Sequence, residues 1–501
     1  MISDIFSQYP GHIYYLLAYA ILLLLAAAMI LWPISRKKSG WTTIVNGIVM
    51  LGGNCGLFAI GYHTLGGFVR DRETGVIVIA LYLLVGLVFT KQVNSRNVTL
   101  LPLLFMLSTT GFLMLYRLSL SLSRIVTTEF IKQLIFIALG LILMLGLIEV
   151  LKLIFLLNVH GDRLELLGIS RSKVLLGRII NRLVVQPRFS YHIWLILTMV
   201  LLAIPLVFGA SMRLSLGAVQ VQPSEFVKIT FVVYLTHHLT RYRQKIGAWD
   251  EPISSRITFL IPPLLLLSLP FLGYVLQRDF GPLMLYSLLI LSLFFVGTSR
   301  LLEVGILLLI FMITIIAYNQ FFPYINALVP KYASIIIDRI NIWQNPWLYT
   351  KGEQIVRSLW AIKAAGLWGT GLGMGHPEFF PSEVQHDFIF TLIAHELGLA
   401  GGVLVILNYV LFCWQGIRIA VATKYDITWN EEWAWFRLRL ALGCTLVLFF
   451  QAMINIGGVT NFSLMTGITL PYVSYGGTSL LVSYLLAGIL AFCSLTKNEM
   501  R

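Results

Sequence analysis

Charged residues are scarce in this chain, and several stand where charge is costly. Asp387 opens "DFIFTLIAHELGLAGG", directly before an apolar run. Glu225 and Lys228 lie three apart in "QPSEFVKI", a spacing that lets them pair on one face of a helix. Asp279 follows Gln277 and Arg278 in "LQRDFGP", and Asp338 and Arg339 adjoin in "IDRINIWQNP". In such places a carboxylate can take a proton and a Lys or Arg can hold an anion. Desolvating either is expensive without a partner or a task, so each is a functional candidate. Each also has a structural reading. Glu225 and Lys228 can be an ion pair that fixes helix packing, Asp279 can cap the next helix, and Asp387 can accept from the first-turn amides of "FIFT". A common membrane face for all four motifs favours a shared site, because isolated caps need not cluster.

The elements that must position these groups are membrane spans. The chain has 501 residues, 58% apolar and 12% charged, with a mean hydropathy of +0.85. That lies outside the range of soluble domains. Runs of about 20 apolar residues, long enough to cross a ~30 Å hydrocarbon core as helix, recur throughout. Three come first, near 13–33, 42–64 and 75–90. Ten follow, near 100–117, 131–157, 190–209, 222–240, 257–276, 281–298, 301–319, 388–413, 436–459 and 470–495. An all-α polytopic membrane protein is predicted. The first run is too long, and lacks the basic flank and cleavage site, for a removable signal peptide. Cys55, Cys413, Cys444 and Cys493 fall within runs and show no ligand spacing, which argues against a disulfide framework or a zinc site.

A net charge of +14 raises nucleic acid as a partner, but the distribution argues against it. Most Lys and Arg residues fall in loops that share one side of the membrane if the amino terminus is outside. The loops 158–189 and 414–435 are then cytoplasmic, as is the carboxyl terminus, and 320–386 is external. Arg178 and Arg182, four apart, predict a short interfacial helix against anionic lipid. In the external loop, "GEQIVRSLWAIKAAGLWG" predicts an amphipathic helix with Gln354 and Ser358 on one face and Ile355, Leu359 and Ile362 on another. "GLWGTGLGMG" has five glycines in ten residues. With no preceding strand and no βαβ unit, it reads as a tight turn and not a nucleotide loop.

Five stretches together carry a resemblance: "QPSEFVKI", "QRDFGP", "GEQIVRSLWAI" with "GLWGTGLGMG", "HDFIFTLIAHELGLAGG" and "NIGGVTNFSLMTGITLPYVSYGGTSLL". In order and spacing the chain resembles the shape, elongation, division and sporulation (SEDS) family of RodA-, FtsW- and SpoVE-like proteins, from about Leu100 to the carboxyl terminus. The resemblance implies a ten-helix core over 99–501, with a large extracellular loop between its seventh and eighth helices. It leaves 1–98 as a transmembrane extension of about three helices, a docking or regulatory addition. It implies a peptidoglycan glycosyltransferase that polymerises lipid II outside the cytoplasmic membrane alongside a class B penicillin-binding transpeptidase. It also implies that Asp387 is the catalytic residue and that Glu225, Lys228 and Asp279 match the family's supporting charges. Three departures stand out: Arg278 replaces a usual proline, His395 stands where a second acid is common, and "YRLSLS" at Tyr116–Ser121 matches its motif loosely.

The chemistry implied is attack of a sugar hydroxyl on the anomeric carbon of a second lipid-linked disaccharide, while a polyprenyl diphosphate departs. One base suffices for a single inverting displacement, because the diphosphate leaves without an acid. Its charge needs cations, which Lys228, Arg339 or a divalent metal such as Mg or Mn can supply. Gln354 and Ser358 join these as supporting residues. Two other readings compete: a lipid-linked precursor flippase, whose binding charges belong near the midplane with inverted repeats, and an inactive scaffold recruiting a transpeptidase. Partner choice, and with it an elongation, division or sporulation role, is not written in the motifs.

Overall fold

The computed structural model describes residues 10–31, 40–66, 72–90, 99–121, 124–166, 187–207, 214–216, 219–241, 274, 279–298, 338–426, 430–496 and 499. The fold is an all-α polytopic membrane bundle. Its helices are α1 (Pro10–Leu31), α2 (Gly40–Thr64), α3 (Arg72–Thr90), α4 (Leu100–Ser121), α5 (Arg124–Leu166), α6 (Pro187–Val207), α7 (Pro223–Arg241) and α8 (Phe280–Thr298). After these come α9 (Glu353–Ala365), α10 (Ile389–Glu396), α11 (Gly398–Lys424), α12 (Glu431–Val459) and α13 (Gly477–Ser494). A two-stranded antiparallel hairpin, β1 (Leu214–Leu216) and β2 (Val219–Val221), joins α6 to α7. Six helices among the described residues are long and apolar enough to cross a membrane, with shorter apolar segments at His192–Pro205 and Phe280–Val296.

Burial separates the bundle's centre from its rim. The apolar window of α4 is 89% buried and those of α12 and α13 are each 78% buried, whereas that of α5 is 28% buried and turns most of its surface outward to lipid. Apolar contact alone gives helices little reason to associate in lipid, so close approach through small residues matters. At the α11–α12 crossing, a Cβ built on Gly416 would lie 2.1 Å from Thr445 Oγ1, a contact no larger residue could make without displacement.

The first three helices pack on the rest of the bundle. Tyr15 of α1 bonds Thr110 of α4 at 3.0 Å, and Asn408 of α11 donates to the Tyr19 hydroxyl at 2.9 Å. The start of α1 lies beside the end of α2, where Tyr15 abuts Gly61, and Leu65 just past α2 abuts Gly373. The amino-terminal end of α1 and the loop before Asp387 are therefore at the same end of the bundle.

The structure corrects several boundaries. The run at 388–413 is not one helix: α10 ends at Glu396, and a new helix starts at Gly398, whose φ of +71° breaks the ladder. The segment 414–435 is mostly helix, so the connection between α11 and α12 is confined to 425–430. The last span begins at Gly477, not near 470. The runs near 257–276, apart from Tyr274, and near 301–319 lie outside the described residues, as does the basic segment with Arg178 and Arg182.

Candidate active site

Asp387 ends a turn that leads into α10. The N-cap position of α10 is held by Phe388, which places Asp387 one residue before it. Its position is fixed through the backbone: Asn455 Nδ2 on α12 donates to the Asp387 carbonyl at 2.8 Å and to the Ile468 carbonyl at 2.7 Å. The carboxylate points toward Gly467, where an added Cβ would sit 3.5 Å from Oδ2. It lines a cavity of about 300 Å³ together with Asp338, Arg339, Lys351, Gln354, Met465 and Gly467. Half-buried, Asp387 meets both this cavity and the protein interior.

The cavity's cations differ in how they are held. Arg339 donates from Nη1 to the Met465 carbonyl at 2.8 Å, and its guanidinium lies 5.5 Å from the centre of the Phe280 ring. Burial lowers its pKa, against the pull of Asp279. Lys351 is exposed and pairs with Asp338 at 2.6 Å. Gln354 donates to Ser382 at 2.7 Å from the cavity rim. Ser358 is elsewhere. Three residues on from Ile355, it shares the buried face of α9, bonds Thr391 at 2.6 Å and donates to the Val459 carbonyl at 2.8 Å. It therefore ties α9 to α10 and α12, and the predicted polar face with Gln354 is corrected: Ser358 is on the buried face.

Glu225, Lys228 and Asp279 form a second group beside the cavity. Lys228 Nζ is 2.5 Å from Glu225 Oε2 and donates to Gln451 Oε1 at 2.8 Å. Asp279, just before α8, meets them through the field and not through a hydrogen bond to Lys228. Burial and the Glu225 carboxylate raise its pKa to about 6, while Arg339, the Gly281 amide and Lys228 oppose the rise. Gln451 Nε2 also donates to the Thr469 carbonyl at 2.9 Å. Gln451 and Asn455, one turn apart on α12, thus fasten the 465–469 segment between the two charged groups. The motif read from the sequence begins at Asn455 and stops short of Gln451, and neither amide was given a role; the signal was two amides at i, i+4 in the uncharged second half of the helix.

A third charged pair escaped that reading. Arg117 Nε on α4 donates to Glu396 Oε1 at 2.7 Å, and both side chains are buried. Arg117 also donates to the Gly375 carbonyl at 2.8 Å, and the Gly373 amide to Glu396 Oε2 at 2.9 Å. The glycine-rich turn is therefore wrapped around this pair. Gly366, Gly369, Gly371 and Gly373 all have positive φ, as a tight turn requires. His395 donates from Nδ1 to the Ala361 carbonyl, 2.8 Å away, so it anchors α9 and does not line the cavity.

Fold and site together define a polytopic membrane protein with a carboxylate-and-cation cavity at one end of its bundle. The chain belongs to the cell cycle protein family that groups FtsW, RodA and SpoVE, whose family model matches residues 174–499. It is 31% identical over 283 residues to stage V sporulation protein E of Bacillus subtilis, covering 56% of this chain and 70% of that one. It is 29% identical over 309 residues to the probable peptidoglycan glycosyltransferase FtsW of Allochromatium vinosum, covering 60% and 72%. A solved structure, described as the structural coordination of polymerization and crosslinking by a peptidoglycan synthase complex, has a TM-score of 0.55 at 23% identity. It covers 78% of this chain and 96% of that one, and shows the fold.

Proposed function

We propose that this protein is a peptidoglycan glycosyltransferase that polymerises lipid II at the outer face of the bacterial cytoplasmic membrane, together with a class B penicillin-binding transpeptidase. The relatives' names support the activity, and the association of polymerisation with crosslinking in the structural relative supports the partner. The observation that carries the reading is the cavity that Asp387 shares with Arg339 and Lys351. Asp387 takes the proton of the attacking sugar hydroxyl. That oxygen bonds to the anomeric carbon of the second substrate as the bond to its diphosphate breaks, with inversion. Arg339 offsets the charge that develops on the departing diphosphate. Lys228 is committed to Glu225 and Gln451, so its part is to hold the neighbouring charges and the 465–469 segment in place.

Among the described residues no three His, Cys, Asp or Glu side chains gather as metal ligands, and no step here is routed through a metal. The site end of the bundle faces outward in this reading, which puts α1's start outside and α13's end in the cytoplasm. A site at one end of the bundle fits a polymerase better than a transporter, whose charges belong near the midplane. The test is lipid II polymerisation by the purified protein with its transpeptidase, wild type against Asp387→Asn. Glycan strands from the wild type and not from the variant support the reading; strands from both move the base elsewhere.

A further inference from the structure

We propose that Lys351 is a mobile diphosphate-binding residue held in reserve by Asp338, and that substrate entry transfers its ammonium from that carboxylate to the lipid-linked diphosphate. The inference rests on the polymerase reading and adds to it a residue that the motifs do not mark. The cavity lining carries two cations, and they are unequal. Arg339 is pinned by the Met465 carbonyl, the Phe280 ring and the field of Asp279. Lys351 has a side chain 72% exposed, and its partner Asp338 is 44% exposed. An ion pair so open to water adds little stability and can exchange partners readily. A compact ammonium on a flexible stem suits that exchange better than a guanidinium fork.

The arrangement also suits the substrate's order of binding. With Asp338 and Asp387 both lining the cavity, the lining's formal charges sum to zero, so a diphosphate gains attraction only when Lys351 turns from Asp338 toward it. Asp338 therefore competes with the substrate for Lys351. A merely structural ion pair, bracing residue 338 against residue 351, predicts that loss of either partner has the same sign of effect. Competition predicts opposite signs.

The experiment measures initial polymerisation rates against lipid II concentration for the full chain with its transpeptidase. Lys351→Met should raise KM about tenfold, the worth of one charge-assisted hydrogen bond, with kcat changed less than about threefold. Asp338→Asn should lower KM by about twofold or more, and the double variant should match Lys351→Met, because Asp338 acts through Lys351. Lys351→Arg, which keeps the charge, should stay nearer the wild type than Lys351→Met. An unchanged KM in Lys351→Met overturns the proposal, as does a raised KM in Asp338→Asn. A wild type that makes no polymer defeats the polymerase reading first and removes the basis of this one.

Discussion

At Asp387 in the cavity and Asp279 beside it, substitution by Asn separates charge from shape. Asp387→Asn keeps the side chain's size and leaves the Asn455 bond to the backbone carbonyl intact, while removing proton acceptance. Polymerisation should fall by at least ~10²-fold with folded protein unchanged, the usual worth of a general base. Asp279 behaves differently. Its pKa rises from 3.8 to about 6 on folding, so its charge destabilises the folded protein fully above pH 6. As pH falls below 6 the folded state takes up the proton and the penalty fades, and it is gone below 3.8, where Asp279 is protonated in the folded and unfolded chain alike. Asp279→Asn removes the penalty, on the order of 3 kcal/mol. The variant's melting temperature in detergent should exceed the wild type's at pH 7.5 and meet it near pH 4. A constant difference across that range would mean that Asp279 is not the group titrating. Of these site residues the motifs revealed the carboxylates and Lys228, since charge in an apolar chain is conspicuous. They did not reveal Asn455 and Gln451, whose part depends on which loop carbonyls lie opposite.

Between the helices, the break after α10 decides where Asp387 stands. Hydropathy runs unbroken from Phe388 to Cys413, so composition alone reads one span. Gly398 interrupts it because its backbone packs on the glycine-rich turn: a Cβ there would meet the Gly369 nitrogen and the Leu367 carbonyl at 2.3 Å each. Backbone geometry of this kind leaves no trace in a hydrophobic pattern. The Arg117–Glu396 pair was illegible for another reason, the sequence separation of 279 between its members. Breaking a buried pair by removing one partner typically costs ~3–5 kcal/mol, whereas replacing both by apolar groups costs much less. Arg117→Met and Glu396→Gln should each lower the thermal midpoint by several degrees, and Arg117→Met with Glu396→Leu should recover part of the loss. Equal losses in single and double variants would assign the stability to packing instead.

Across the whole molecule, the long apolar runs made the membrane bundle plain, and eleven of the thirteen predicted runs coincide with helix among the described residues. What they could not say is how the first three helices sit, since hydropathy does not name neighbours. The orientation is testable at described positions. With the four native cysteines replaced, Glu383→Cys should react with an impermeant thiol reagent in intact cells, and Tyr425→Cys, exposed at the opposite end, should react only after lysis. The reverse pattern would turn the site toward the cytoplasm. One contact also bears on how the chain can be divided. The family model begins at residue 174, yet Glu396, well inside that stretch, takes its buried counterion from Arg117, well before it. Cut at 174 and carried into another chain, the recognisable part would arrive with a bare carboxylate beneath its glycine-rich turn. The border of likeness to its relatives is not a seam along which this protein comes apart, and chimeras need to be joined upstream of α4.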